Sequence, residues 1–180
     1  MTESFARSSM KLISSAKDSS SSSDGSCNRR DADAVGKHAR LEQGEVSELA
    51  QKHGTPLYVY SAAAIRGRYR TSDRAFRGFP HTVCYSVKAN SSLGILRLLA
   101  GMGCGFDVVS GGELQRVLHI HRRAAKQVVF SGVGKTAEEM NAALKAGILL
   151  FNVESESELW ALAECAARLK HTAPIALRVN

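Results

Sequence analysis

Aromatic residues are scarce, at 6% of 180 residues with a single tryptophan, and no nucleic-acid-binding motif accompanies the surplus of positive charge. Platforms on which bases could stack are therefore few, which argues against a nucleic-acid partner in spite of a net charge of +7. No apolar run is long enough to span a membrane, and Met10 to Ala16 is too short and too polar for the core of a signal peptide. The four cysteines (Cys27, Cys84, Cys104 and Cys165) include no Cys-x-x-Cys pair and no regular spacing. Cys84 and Cys165 fall within apolar patterns, which suits reduced thiols in a cytoplasmic protein. Metal ligands do not cluster either: His119 and His121 lie two apart on an expected helix, so their rings point to different faces.

Two glycine-rich stretches also fall short of the sites they suggest. Gly132-Val133-Gly134-Lys135-Thr136 follows a strand, yet Val129 stands where a phosphate loop needs its first glycine. Gly101-Met102-Gly103-Cys104-Gly105 precedes a strand instead of following one, with the wrong spacing for a dinucleotide site.

What is present divides unevenly. Residues 1–44 read as a disordered tail, serine-rich through residue 34 with an unbroken run from Ser19 to Ser23, because such a segment buries too little apolar surface to offset its ordering entropy. Residues 1–45 carry seven basic and seven acidic residues, so the whole excess falls on residues 46–180. Arg66, Arg68, Arg70, Arg74 and Arg77 form one basic group, and Arg116, Arg122, Arg123 and Lys126 a looser second one. A solvated face, or one turned toward an acidic protein surface, accounts for both.

From Thr82 onward a rhythm sets in. Strands are expected at 82–87, 105–109, 127–130, 148–153 and 174–179, with helices at 92–102, 111–121, 137–146 and 156–169 between them. Three helices open on a Ser/Thr-x-x-Glu capping box, at Ser110–Glu113, Thr136–Glu139 and Ser155–Glu158. Strands alternating with helices across short loops imply a parallel sheet, hence an α/β fold. Five such strands fall short of a closed (β/α)8 barrel, which needs about 250 residues. The expectation is the incomplete N-terminal portion of a TIM barrel, the first part of a longer protein.

In a parallel α/β fold the carboxyl ends of the strands share one rim, where side chains distant in sequence meet. That rim collects Lys88-Ala89-Asn90, Asp107, Ser110 with Gly111 and Gly112, Ser131-Gly132, Asn152 with Glu154, and Arg178 with Asn180. Lys88 ends a β-prone run, where partial desolvation would lower its pKa and make its amine nucleophilic. The plainer reading is a strand-end lysine reaching into solvent. Glu113 reads first as a capping residue, Glu154 as an acid favouring a helix N-terminus, and Arg178 as an ion-pair partner inside the barrel. An amine, carboxylates and a guanidinium converging on one mouth suit a carbonyl cofactor bound as an imine.

Taken together, four segments in order resemble the diaminopimelate decarboxylases. They are Tyr85-Ser86-Val87-Lys88-Ala89-Asn90, Gly105-Phe106-Asp107-Val108-Val109-Ser110-Gly111-Gly112-Glu113-Leu114, Phe130-Ser131-Gly132-Val133-Gly134-Lys135 and Phe151-Asn152-Val153-Glu154-Ser155-Glu156-Ser157-Glu158-Leu159. Those enzymes are pyridoxal-phosphate decarboxylases with an alanine-racemase-like barrel, and the resemblance covers residues 46–180. It implies that Lys88 holds pyridoxal 5'-phosphate as a Schiff base, with Asp107 and Arg178 beside the cofactor and Glu113 as a further contact. It also implies a cytoplasmic homodimer that converts meso-diaminopimelate to L-lysine, with Leu57–Tyr60 pairing with a C-terminal β-domain. Ser86 stands where the family usually has alanine, and Ser92 where it has asparagine or aspartate. The family's ring-stacking histidine, glycine-rich phosphate loop, pyridine-binding glutamate and dimer-contributed cysteine and tyrosine fall outside these 180 residues, so the chain alone is expected to be inactive. A decarboxylase of ornithine, arginine or lysine in the same superfamily is the alternative activity. A non-catalytic regulatory fragment that binds an enzyme subunit is the alternative of a different class.

Overall fold

The computed structural model of the chain describes residues 11–13 and 43–179. The chain divides into two compact units, residues 1–71 and 72–180. In the first, β1 (Lys11–Ile13) pairs in parallel with β2 (Val59–Ser61), and α1 (Gln43–His53) lies between them in sequence. The strand at Lys11–Ile13 falls inside the expected serine-rich tail, the remainder of which up to Leu41 and Glu42 lies outside the described residues. The segment expected to pair with a C-terminal β-domain thus pairs here with β1. Helix α2 (Ala62–Ala75) starts where Ser61 Oγ accepts the Ala64 N–H at 3.2 Å, a short polar side chain satisfying a donor that the first helical turn leaves free.

The second unit carries the rhythm seen in the sequence. β3 (Cys84–Ser86), β4 (Gly105–Val108), β5 (Val128–Phe130), β6 (Leu150–Val153) and β7 (Ile175–Leu177) form one parallel sheet in sequential order. Between them run α3 (Leu93–Ala100), α4 (Gly111–Ile120), α5 (Ala137–Ala146) and α6 (Glu156–Leu169). Because each strand pairs with the next and such crossovers are right-handed, every helix lies on the same face of the sheet. This is the arrangement of an incomplete (β/α)8 barrel.

Strand alternation then sorts the side chains. Phe106, Val108, Val128, Phe130, Phe151 and Val153 face the helices and are buried. Phe130 and Phe151 stack with centroids 6.1 Å apart, and Leu114, Met140 and Leu162 of the helices are fully buried as well. Each such side chain contributes about 1.5–3 kcal/mol on burial. The other face, which in a barrel points inward, holds Ser86 opposite Asp107 and Asn152 opposite Ala176. β7 differs: its helix-facing residues Ile175 and Leu177 are 43% and 66% exposed.

Of the three expected capping boxes only Thr136–Glu139 is reciprocal. Ser110 and Ser155 each accept the backbone N–H three residues on, but the carboxylates of Glu113 and Glu158 turn elsewhere. α5 ends on Gly147 in the left-handed conformation that its missing Cβ permits. No described helix is long and apolar enough to cross a membrane.

Candidate active site

Lys88 sits at the mouth of β3, in a single 3₁₀ turn spanning Val87–Ala89. Val87 is fully buried and anchors the turn, so that Lys88 next to it is turned out of the core. The Tyr85 hydroxyl donates to the Asn90 carbonyl at 3.2 Å, and Asn90 Oδ1 accepts the Ser92 N–H at 3.0 Å. Ser92, the N-cap position of α3, makes no side-chain cap bond; the Asn90 side chain instead reaches two residues forward to its N–H. Lys88 is exposed, which corrects the expectation of a partly desolvated amine: the 3₁₀ turn carries it past the strand end while Val87 takes the buried position. Among the described residues its ammonium makes no hydrogen bond or ion pair.

Asp107 lies level with Ser86 on the inner face of the sheet. Its Oδ1 accepts from Ser131 Oγ at 2.5 Å and its Oδ2 from Ser86 Oγ at 3.4 Å. Ser131 Oγ in turn accepts from Asn152 Nδ2 at 2.9 Å. A polar chain thus runs from β3 through β4 and the end of β5 to β6, each hydroxyl donating to the carboxylate and so holding it oriented. Ser86, noted in the sequence only as a departure from alanine, is part of that chain. Burial first, and then the Asp107 charge, push the Cys84 thiol above its ordinary value.

A second cluster flanks it. Glu154 Oε1 accepts the Gly132 N–H at 2.8 Å, and Oε2 accepts from Arg178 Nη1 at 3.4 Å. The Glu154 side chain is 6% exposed and Arg178 is 56% exposed, so the pair is half-open and weak in itself. Gly132 has φ of +100°, which a side chain rarely adopts, and it approaches the Val109 carbonyl closely. Glu113 faces inward from α4, where its Oε2 accepts the Val109 N–H at 3.0 Å and fixes the loop after β4. Lys88, Asp107, Asn152, Glu154 and Arg178 therefore share the rim, Asp107 bonded to Ser86 and Ser131 and Arg178 to Glu154, whereas Glu113 supports it from behind.

Sequence reasoning missed the most buried ion pair among the described residues. Lys135, read only as part of a failed phosphate loop, points into the protein with 1% of its side chain exposed. Its three donors reach the Gly132 carbonyl at 2.8 Å, the Asn152 carbonyl at 2.7 Å and Glu158 Oε1 at 2.7 Å. The ammonium thereby ties the Gly132 loop to the end of β6. The available signal was periodicity: positions 158, 162, 165 and 166 make one helical stripe, which puts Glu158 on the buried face of α6.

Residues 62–180 match the family model described as the pyridoxal-binding domain of pyridoxal-dependent decarboxylases. A curated diaminopimelate decarboxylase of Pseudomonas fluorescens is 55% identical over 136 residues, which are 75% of this chain and 32% of that protein. The crystal structure of the M. jannaschii diaminopimelate decarboxylase in co-complex with L-lysine superposes with a TM-score of 0.74 at 40% identity, over 80% of this chain and 36% of that one. A lysine decarboxylase from Selenomonas ruminantium is 30% identical with a TM-score of 0.67, over 78% of this chain and 35% of that one. The chain thus spans about a third of the length of the curated relatives it matches. With 119 consecutive residues under that one model and a lysine, an aspartate and an arginine on the rim of a parallel sheet, this chain belongs to the family of pyridoxal-dependent decarboxylases.

Proposed function

We propose that this chain is the N-terminal part of a diaminopimelate decarboxylase, which removes CO2 from meso-2,6-diaminopimelate to leave L-lysine. The observation that carries the reading is the 55% identity to a diaminopimelate decarboxylase, against 30% to a lysine decarboxylase. We assign the protein to the cytoplasm as a homodimer, with an amino acid as its small-molecule substrate.

The residues of the rim fit pyridoxal 5'-phosphate. Lys88 is an accessible primary amine without a competing partner among the described residues, the donor that an aldehyde requires, and would hold the cofactor. When bound, the cofactor supplies a conjugated ring that draws off the electron pair left as CO2 departs. Asp107 would stand beside it as a fixed negative charge, oriented by Ser86 and Ser131 before any ligand enters. Arg178 would border the cofactor with its charge balanced by Glu154, and Glu113 would act from behind through Val109. The 180 residues alone, a third of such an enzyme, would be inactive.

A second reading, a regulatory fragment that binds an enzyme subunit, draws on the exposed Ile175 and Leu177 of β7. Borohydride reduction of the chain mixed with pyridoxal phosphate, followed by peptide mapping, tests the assignment of Lys88. Label concentrated at Lys88 supports it, and label spread evenly over the exposed lysines refutes it. In a protein that contains these residues within a complete barrel, release of L-lysine from meso-diaminopimelate should vanish on Lys88→Ala. Turnover of ornithine instead would refute the substrate.

A further inference from the structure

We propose that a cavity at the amino end of the sheet, opposite the Lys88 rim, binds a small aliphatic anion bearing phosphate or carboxylate groups. The cavity measures about 400 Å³ and is open to solvent between the last turns of α3 and α4 and the segment leading into β5, with Arg97, His121, Arg123 and Gln127 themselves exposed. That volume lies within the range of small-molecule sites. Its polar lining is Arg97, His121, Arg123 and Gln127, and its apolar floor includes Ile120 and Ala124. No carboxylate lines it.

Three physical features converge on an anion. Among the described residues neither Arg97 nor Arg123 has a carboxylate partner, although the other rim holds Arg178 and the core holds Lys135 in ion pairs. Two planar guanidiniums on one concave surface can each present a fork of parallel N–H donors to a phosphate or carboxylate. His121 Nδ1 accepts the Arg123 N–H at 3.1 Å, so in the neutral ring the proton is on Nε2, which adds a donor and not an acceptor.

The carbonyl ends of two helices approach here, and they favour cations. That field accounts for Arg97 in the last turn of α3 but not for Arg123, which lies outside both helices. The carbonyls are also partly capped, since the Gly101 N–H bonds the Arg97 carbonyl at 3.0 Å and the His121 N–H bonds the Val117 carbonyl at 3.3 Å. No aromatic side chain beyond His121 lines the cavity, so a nucleobase finds no ring to stack on and the ligand is an aliphatic one.

The site does not depend on the decarboxylase reading, and either can fail without the other. Isothermal titration of the 180-residue chain at about 150 mM salt, where long-range attraction is screened, uses inorganic pyrophosphate and, separately, citrate. Saturable binding of one equivalent is expected for at least one of them, and the tighter of the two distinguishes a phosphate from a carboxylate source. Arg97→Gln and Arg123→Gln should each weaken it about tenfold, the loss of one charge-assisted contact. Lys126→Gln removes an equal charge from an exposed neighbour that does not line the cavity and should change affinity by less than about twofold. Should Arg97→Gln not fold by circular dichroism, Arg123→Gln decides the matter. No saturable binding of either anion, or equal losses from Lys126→Gln and Arg123→Gln, would overturn the proposal. So would a single-stranded oligonucleotide that binds more tightly than both anions and is displaced by neither.

Discussion

Replacing Lys135 by methionine isolates the contribution of the buried ammonium. Methionine keeps most of the stem in contact with Phe130, over whose ring the ammonium sits at 5.9 Å, so the change removes charge and donors and little volume. Three acceptors lose their partner at once: the Gly132 and Asn152 carbonyls and Glu158 Oε1. Glu158 becomes a carboxylate 7% exposed with neither oxygen bonded, since its Oε2 already has no partner among the described residues. Removing one member of a buried ion pair costs about 3–5 kcal/mol, much of it the penalty of the charge left behind. In a domain of this size that lowers the melting temperature by about 6–20 °C. The assay is thermal and urea unfolding followed by far-UV circular dichroism. The double variant Lys135→Met/Glu158→Leu leaves no orphaned charge and should be more stable than the single Lys135→Met. A loss below about 1 kcal/mol in the single variant, or a double variant less stable than the single, would refute the reasoning.

Two further outcomes follow from the electrostatics. Burial pushes the Cys104 thiol up to about 11, so at neutral pH it is protonated and resists alkylation. Iodoacetamide should label it only after denaturant is added, and rapid labelling of the native chain would contradict its 1% exposure. Glu139 has its carboxyl held below the ordinary value, first by the Thr136 backbone and then by the Gly111 N–H at 2.6 Å. A lowered folded pKa means that its stabilisation is complete above the unfolded value of 4.5 and is lost as pH falls through the folded one. Glu139→Gln should therefore cost about 1 kcal/mol at pH 7, a cap-sized effect discounted for solvent, and the gap to the parent chain should close in acid. A gap that stays constant down to acid pH would mean that the charge contributes nothing.

The strand and helix order of residues 82–179 was legible because apolar residues there recur with period two and then with helical period, and each helix after β4 opens on Ser or Thr. α5 and α6 matched the expected ranges residue for residue, each framed by a capping side chain and by a left-handed residue at its end, Gly147 and Lys170. Site residues at strand ends were legible for the same reason, since position in a parallel sheet fixes which rim a side chain reaches. What remained hidden was the pairing of side chains across strands. Nothing local in Ser131 or Asn152 announces that they form a chain with Asp107. The glutamates of the Ser/Thr-x-x-Glu motifs could equally cap their own helix or leave it, and two of three leave it for better partners. Exposure of Lys88 was legible only as one of two readings, because the choice depends on a 3₁₀ turn that gives the buried position to Val87.

The bare face of β7 bears on how this chain behaves in a tube. A terminal strand whose outward side chains are isoleucine and leucine, with its free edge still able to donate and accept, is a template for more strand. Two copies can satisfy one another there without any specific recognition. Concentration is then expected to act as a structural variable, with separate chains in dilute samples and association in concentrated ones. Handling should begin cold and dilute, and a charged residue at position 177 is the simplest way to keep the copies apart.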